Sequence, residues 1–287
     1  MWRRSVNTAL ARVTGLELRR AGEAEPAHPG NERQLQDLRA RLKRAEQRNE
    51  RLRRRLDEVR AKAVPDHYDE GAVTILRRVE PRTMTDHAKL FGLVEATRYL
   101  VRHDIPGDVV ECGVWRGGSM QAVALALQEL GSTDRALHLF DTFEGMPPPS
   151  EKDRRRGVTA EEMLATHDRD HRIWAIASLD DVREAMEEVG YPPEHVHYHQ
   201  GMVEDTIPGM APERISLLRL DTDWYESTRH ELEHLYDRLS PGGVLILDDY
   251  GDWEGARQAT DEFLATLPDP VMLHPLGTGR MAVKPLR

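Results

Sequence analysis

The stretch GDVVECGVWRGGSMQAVALALQEL, Gly107 to Leu130, decides how the chain folds. It opens on a turn, passes through a short apolar run to Glu111 and Cys112, crosses a loop holding Gly113, Gly117 and Gly118, and continues as a helix. Outward from it the same alternation repeats. ALHLFDTF reads as a strand, VREAMEEVG as a helix, VHYHQG and ISLLRLDTD as strands, TRHELEHLYDRL as a helix, and GVLILDDY as a strand after the SPGG turn. Strands alternating with helices predict an α/β, doubly wound, mostly parallel sheet of Rossmann-like type over residues 101–287. Residues 64–100, with VTILRRV and HAKLFGLVEATRYLV, read as cap helices ahead of it. In such sheets ligands bind beyond the carboxyl ends of the strands, and most of the suggestive polar residues fall there.

Three chemistries compete for the loop VVECGVWRGGS. The dinucleotide fingerprint needs G-x-G-x-x-G, and the tight G-x-G is absent; the phosphate P-loop needs a lysine after its last glycine, and none follows Gly118. The third is the strand, loop and helix of S-adenosylmethionine-dependent methyltransferases, in which glycine admits the cofactor's amino-acid end. Glu111 suits it, because a carboxylate accepts a charge-assisted hydrogen bond from the cofactor's ammonium. Asp141 ends the next strand about 30 residues on, where doubly wound folds put the carboxylate that grips ribose hydroxyls.

Two later strands end in paired acids: Asp221 and Asp223 in LRLDTDW, Asp248 and Asp249 in LILDDY. Carboxylates gathered at one sheet edge raise one another's pKa unless a cation intervenes. All-oxygen ligation suits Mg²⁺ or another hard divalent cation, which can lower the pKa of an alcohol oxygen while a neighbouring carboxylate takes its proton. His195, His197 and His199 alternate along a strand and read as surface and packing residues.

Residues 1–63 carry 17 Lys and Arg against 9 Asp and Glu, whereas the remainder carries 23 against 41. An acidic body argues against nucleic acid, whose binding depends on neutralising backbone phosphates. Cys112 is the single cysteine, so no intrachain disulfide forms, which suits a cytoplasmic protein. Residues 1–30 form a basic arm; Trp2, Val6, Leu10, Val13, Leu16 and Leu18 give residues 1–20 a rough apolar stripe, compatible with peripheral membrane contact or with packing on the protein itself. In residues 31–63, Leu35, Leu38, Leu42, Ala45, Asn49, Leu52, Leu56, Val59 and Ala63 keep a heptad seam, predicting a coiled-coil helix and a homodimer.

Taken in order, GDVVECGVWRGGS, FDTFEGMP, HQGMVEDTIP, LRLDTDWYEST and LSPGGVLILDDYGDWEGARQA resemble the macrocin O-methyltransferases, metal-dependent enzymes that methylate sugar hydroxyls on antibiotics. The resemblance implies that Glu111, Gly113 and Ser119 hold the methionine part of S-adenosylmethionine, Asp141 its ribose, and Ser178 its adenine side. It implies further that Thr83 lies in a segment closing over the cofactor. Asp221, Asp248 and Asp249 match the family's metal ligands, with Asp221 also the general base and Asp223 in a supporting role. Acceptor choice falls to residues 146–174, whose run Arg154, Arg155, Arg156 reads as a solvated charge run, with an anionic substrate as the alternative. Two rival functions stand beside a sugar O-methyltransferase: methylation of a catechol-like phenol, and a catalytically silent coiled-coil scaffold.

Overall fold

A computed structural model describes residues 64–286, together with residues 42–44 and 48, which are helical. The basic arm and nearly all of the heptad seam therefore lie outside the described residues. Of the chain's two units, Met1–Arg60 and Ala61–Arg287, the second carries the fold.

Its seven-stranded sheet has the order β5-β2-β1-β6-β7-β9-β8. The strands β1 (Asp108–Cys112), β2 (Leu137–Asp141), β5 (Val196–Gln200), β6 (Ile215–Leu220) and β7 (Leu239–Leu247) are parallel; β8 (His274–Leu276) and β9 (Gly279–Val283) form an antiparallel hairpin along β7. This is the doubly wound, mostly parallel sheet that the alternation predicted. The closing hairpin has no comparable signal, because its strands are short and carry Pro275 and Gly277 rather than an apolar run.

Both faces of the sheet are covered, so neighbouring apolar residues divide between two cores. Val109, Leu137, Leu139, Leu217, Val244 and Ile246 pack into one; Val110, Phe140, Leu218, Leu220, Leu245 and Leu247 pack into the other. Helices α1 (Glu70–Val79), α2 (His87–Arg102), α3 (Gly118–Glu129) and α5 (Leu179–Val189) contribute Ala72, Leu93, Val123 and Val182 to the first side and its extension. Helix α7 (Tyr225–Leu235) contributes Leu232 and Leu235 to the second. Asp69 caps α1 and pairs with Arg98 of α2 at 2.7 Å, and Arg98 also reaches Glu129 of α3 at 2.9 Å, so one buried guanidinium ties three helices together.

Between β2 and α5 the chain inserts a hairpin, β3 (Arg154–Arg155) with β4 (Val158–Thr159), and a short helix α4 (Ala160–Ala165). Fully buried Asp153 anchors the insert. Its Oδ1 accepts from the Tyr225 amide at 2.7 Å at the start of α7, and its Oδ2 accepts from the Ser150 amide and hydroxyl. The Trp224 indole adds a hydrogen bond to the Pro147 carbonyl at 3.0 Å. Helices α6 (Val203–Thr206) and α8 (Glu254–Leu264) complete the described elements, and among the described residues no helix is long and apolar enough to cross a membrane.

Candidate functional site

Sheet register builds the site. Arg219 of β6 lies opposite Glu111 of β1 on one side and Ile246 of β7 on the other. Glu111 and Arg219 stand on the face occupied by Val109 and Leu217, and Asp248 follows Ile246 two residues on. A buried cation in an apolar strand needs anions around it, and register supplies them. Arg219 Nη1 donates to Glu111 Oε1 at 2.5 Å and lies 2.8 Å from Asp221 Oδ2, while Nη2 donates to Asp248 Oδ1 at 2.6 Å and to Thr85 Oγ1 at 3.0 Å.

A second cation closes the other side. Lys89, in the first turn of α2, donates to Asp248 Oδ2 at 2.7 Å and lies 3.5 Å from Asp252 Oδ2. The remaining acids are left richer in charge. Ligand oxygens of Asp221, Asp248 and Asp249 all lie within 4.8 Å of one another, and Asp249 Oδ2 accepts from the Asp223 amide at 3.1 Å. Burial pushes Asp221 and Asp249 well above the usual carboxylate range, with Arg219 working against it at Asp221; burial and Asp221 raise Asp223 to about 7. Asp248 goes the other way: burial opposes its charge, but Arg219 and Lys89 hold its carboxyl below the ordinary value. The cluster thus has one acid neutralised by side chains and neighbours that a further positive charge would ionise. Three convergent oxygens and no sulfur or imidazole fit a hard divalent cation.

These acids line a cavity of about 550 Å³. Gly113, Asp141, Thr142 and Gly201 form another part of its wall, Met84 and Thr85 a third, and Trp115, Phe140, Trp224 and Trp253 give it aromatic surface. Asp141 shapes the glycine loop: its Oδ2 accepts from the amides of Val114 at 2.7 Å and Trp115 at 3.0 Å, and its Oδ1 from Phe143 at 2.8 Å. Gly113 adopts φ +82°, and a Cβ there would stand 2.0 Å from the Asp221 carbonyl oxygen. Loop and acidic cluster therefore touch through a position open only to glycine. Glu111 Oε2, buried and without a hydrogen-bond partner, is an acceptor of the kind a cofactor ammonium needs; burial raises its carboxyl to about 7 against the pull of Arg219.

Residues 27–272 match the family model for macrocin-O-methyltransferase (TylF). The chain belongs to that family. It is 36% identical over 191 residues, 66% of this chain and 70% of the relative, to the 8-demethyl-8-(2,3-dimethoxy-alpha-L-rhamnosyl)-tetracenomycin-C 4'-O-methyltransferase of Streptomyces olivaceus. It is 34% identical over 168 residues, 58% of this chain and 65% of the relative, to the mycinamicin III 3''-O-methyltransferase of Micromonospora griseorubida. The solved structure of the O-methyltransferase NovP superposes with a TM-score of 0.63 at 29% identity, covering 71% of this chain and 82% of that one. Membership makes this macrocin-type protein an S-adenosylmethionine-dependent O-methyltransferase.

Of the residues singled out by sequence, the structure gathers Gly113, Asp141, Asp221, Asp248 and Asp249 on one cavity. Thr83, Glu111, Ser119 and Ser178 are not part of its lining. Ser119 is buried in the first turn of α3, and Ser178 caps α5, accepting from the Asp181 amide at 3.2 Å. Thr83 accepts from the Thr85 amide at 3.0 Å, and a Cβ on Gly118 would meet its Cβ at 2.7 Å. Its segment reaches the cavity through Met84 and Thr85 instead. The histidines pack as expected: His199 stacks on Phe140 with ring centroids 4.2 Å apart and lies 3.0 Å from the His138 Nδ1.

Sequence reasoning passed over Lys89 and Arg219, although both leave a trace. Arg219 interrupts the apolar run ISLLRL, and Lys89 precedes Leu93, Ala96 and Leu100 at helical spacing, all of them buried. A cation at an apolar position implies buried partners.

Proposed function

We propose that this macrocin-type enzyme methylates a sugar hydroxyl, using Mg²⁺ or a similar divalent cation held by Asp221, Asp248 and Asp249. The convergence of those three carboxylates on the cavity that also exposes Gly113 and Asp141 carries the reading. The relatives named for a rhamnosyl-tetracenomycin and for a mycinamicin support a glycosylated natural product as the acceptor. When bound, S-adenosylmethionine supplies an electrophilic methyl group and the cation supplies Lewis acidity.

The chain's own residues do the rest. Asp221 accepts the acceptor's hydroxyl proton, its basicity kept up by burial. Lys89 and Arg219 hold Asp248 ionised and oriented. Glu111 and Gly113 receive the cofactor's methionine part and Asp141 the ribose side, with Thr83, Ser119 and Ser178 supporting the surrounding backbone. The tryptophans of the wall exclude water and offer apolar faces to a sugar ring. Outside the described residues, the heptad seam supports self-association as a dimer.

Calorimetry with S-adenosylmethionine and Asp249→Asn tests the division of roles. The variant should bind the cofactor within about threefold of wild type and lose Mg²⁺-dependent transfer by at least about a hundredfold. Loss of cofactor affinity with turnover spared would overturn it. A second reading, a phenolic acceptor, is favoured by the four aromatic residues in the wall; equal or faster methylation of catechols than of glycosides would establish it.

A further inference from the structure

The insert offers the cavity a selected face. Residues 146–174 contain six Lys and Arg and six Asp and Glu. Its side chains that line the cavity are Met146, Pro147, Arg155, Leu164, His171, Arg172 and Ile173, with no acid among them. The same cavity is lined by Asp221, Asp248, Asp249 and Asp252. The cavity therefore carries charge of both signs between its apolar walls, acids at the strand ends and arginines on the insert.

Both arginines have unused donors. Arg172, exposed at the cavity, has no hydrogen bond or ion pair through its side chain among the described residues. Arg155 spends Nη2 on Asp252 Oδ1 at 2.8 Å, and its guanidinium lies 5.9 Å from the Trp253 ring centroid. Asp252 does not depend on that contact, because Lys89 stands 3.5 Å from its Oδ2 and Thr278 Oγ1 donates to the same oxygen at 2.5 Å. By contrast, Arg154 turns to the Glu151 and Gly157 carbonyls, away from the cavity wall. The run of three arginines thus divides, and only its middle member faces the site.

We propose that the acceptor is an anionic sugar, carrying a phosphate or a carboxylate that Arg172 and Arg155 bind while its hydroxyl points to the acidic end. The inference rests on the methyl-transfer reading above and narrows its substrate. A planar guanidinium forms paired charge-assisted hydrogen bonds with either oxoanion, so the two chemistries share one site. The overall acidity of the body does not oppose this, since one local anion needs only local donors.

Calorimetry on the full chain tests it, with saturating S-adenosylhomocysteine and a chelator present so that no divalent cation bridges the ligand. The probes are glucose 1-phosphate, glucuronate and methyl glucoside. At least one anion should bind about tenfold or more tightly than methyl glucoside, and Arg172→Gln should remove that advantage while leaving methyl glucoside within about twofold. Preference for the phosphate or for the carboxylate identifies the source of charge. Arg155→Gln should act in the same direction more weakly, and Arg154→Gln should change nothing. The proposal is overturned if neither anion outbinds methyl glucoside up to its solubility limit, or if Arg172→Gln keeps the preference. Failure of S-adenosylhomocysteine to bind would instead defeat the methyl-transfer reading, and is read in the same experiment before any sugar is added.

Discussion

Lys89 Nζ holds Asp248 twice, donating to its side-chain Oδ2 at 2.7 Å and to its main-chain carbonyl at 2.9 Å. The paired contact joins a cap helix to the tip of β7. Lys89→Met leaves the buried carboxylate short of a partner, and breaking such a pair costs about 3–5 kcal/mol. Urea denaturation in the presence of a chelator should show that loss. Millimolar Mg²⁺ should restore more stability to the variant than to wild type, because the cation then replaces the missing charge. Equal stabilisation of both proteins by Mg²⁺ would count against the cation site.

Gly113→Ala is expected to disturb the acidic cluster through the backbone. The new Cβ meets the Asp221 carbonyl, and the residue must keep φ +82°, so about 2–4 kcal/mol of stability is lost. Activity should fall further than the folded fraction does, as judged by turnover per folded molecule from near-ultraviolet circular dichroism.

Asp141→Asn replaces an acceptor oxygen with a donor among three backbone amides that all point at this carboxylate. At least one amide is stranded, at a cost of about 1–3 kcal/mol. Calorimetric affinity for S-adenosylmethionine should drop by about tenfold or more, whereas Mg²⁺ affinity stays near that of wild type.

His199 gives the fold an acid-sensitive edge. Burial, with His138 and His197 adding to it, lowers its imidazole to about 4, against about 6.5 in an unfolded chain. Between those values the unfolded chain holds a proton that the folded one refuses, so stability falls as pH drops from about 6.5 towards 4. His199→Gln should flatten that part of the urea-midpoint profile, and an unchanged slope would assign the acid sensitivity elsewhere.

The parts of the site that sequence made legible are those with a local signature. Glu111, Asp141, Asp221, Asp248 and Asp249 each lie at the end of an apolar run, and a parallel sheet puts such ends along one edge, while the adjacency of β1, β6 and β7 decides which of them meet. Lys89 and Arg219 are harder to place, because partners lie 159 and 108 residues away along the chain. Sheet register brings Arg219 to Glu111, and the packing of α2 brings Lys89 to Asp248. The cavity-facing side of the insert is likewise invisible in one dimension: Arg154 and Arg155 are neighbours of one type, and a two-residue strand turns them to different surroundings. The antiparallel hairpin escaped notice because edge strands need no continuous apolar run when one side faces solvent.

That hairpin also fixes the position of the strand that carries Asp248. A Cβ on Gly279 would lie 3.0 Å from the Asp248 carbonyl oxygen, and one on Gly251 would lie 2.4 Å from the carbonyl oxygen of Thr278. Strand β9 meanwhile lies along the outer side of β7. The hairpin therefore clasps the tip of β7, and with it the backbone of Asp248, from the side opposite β6.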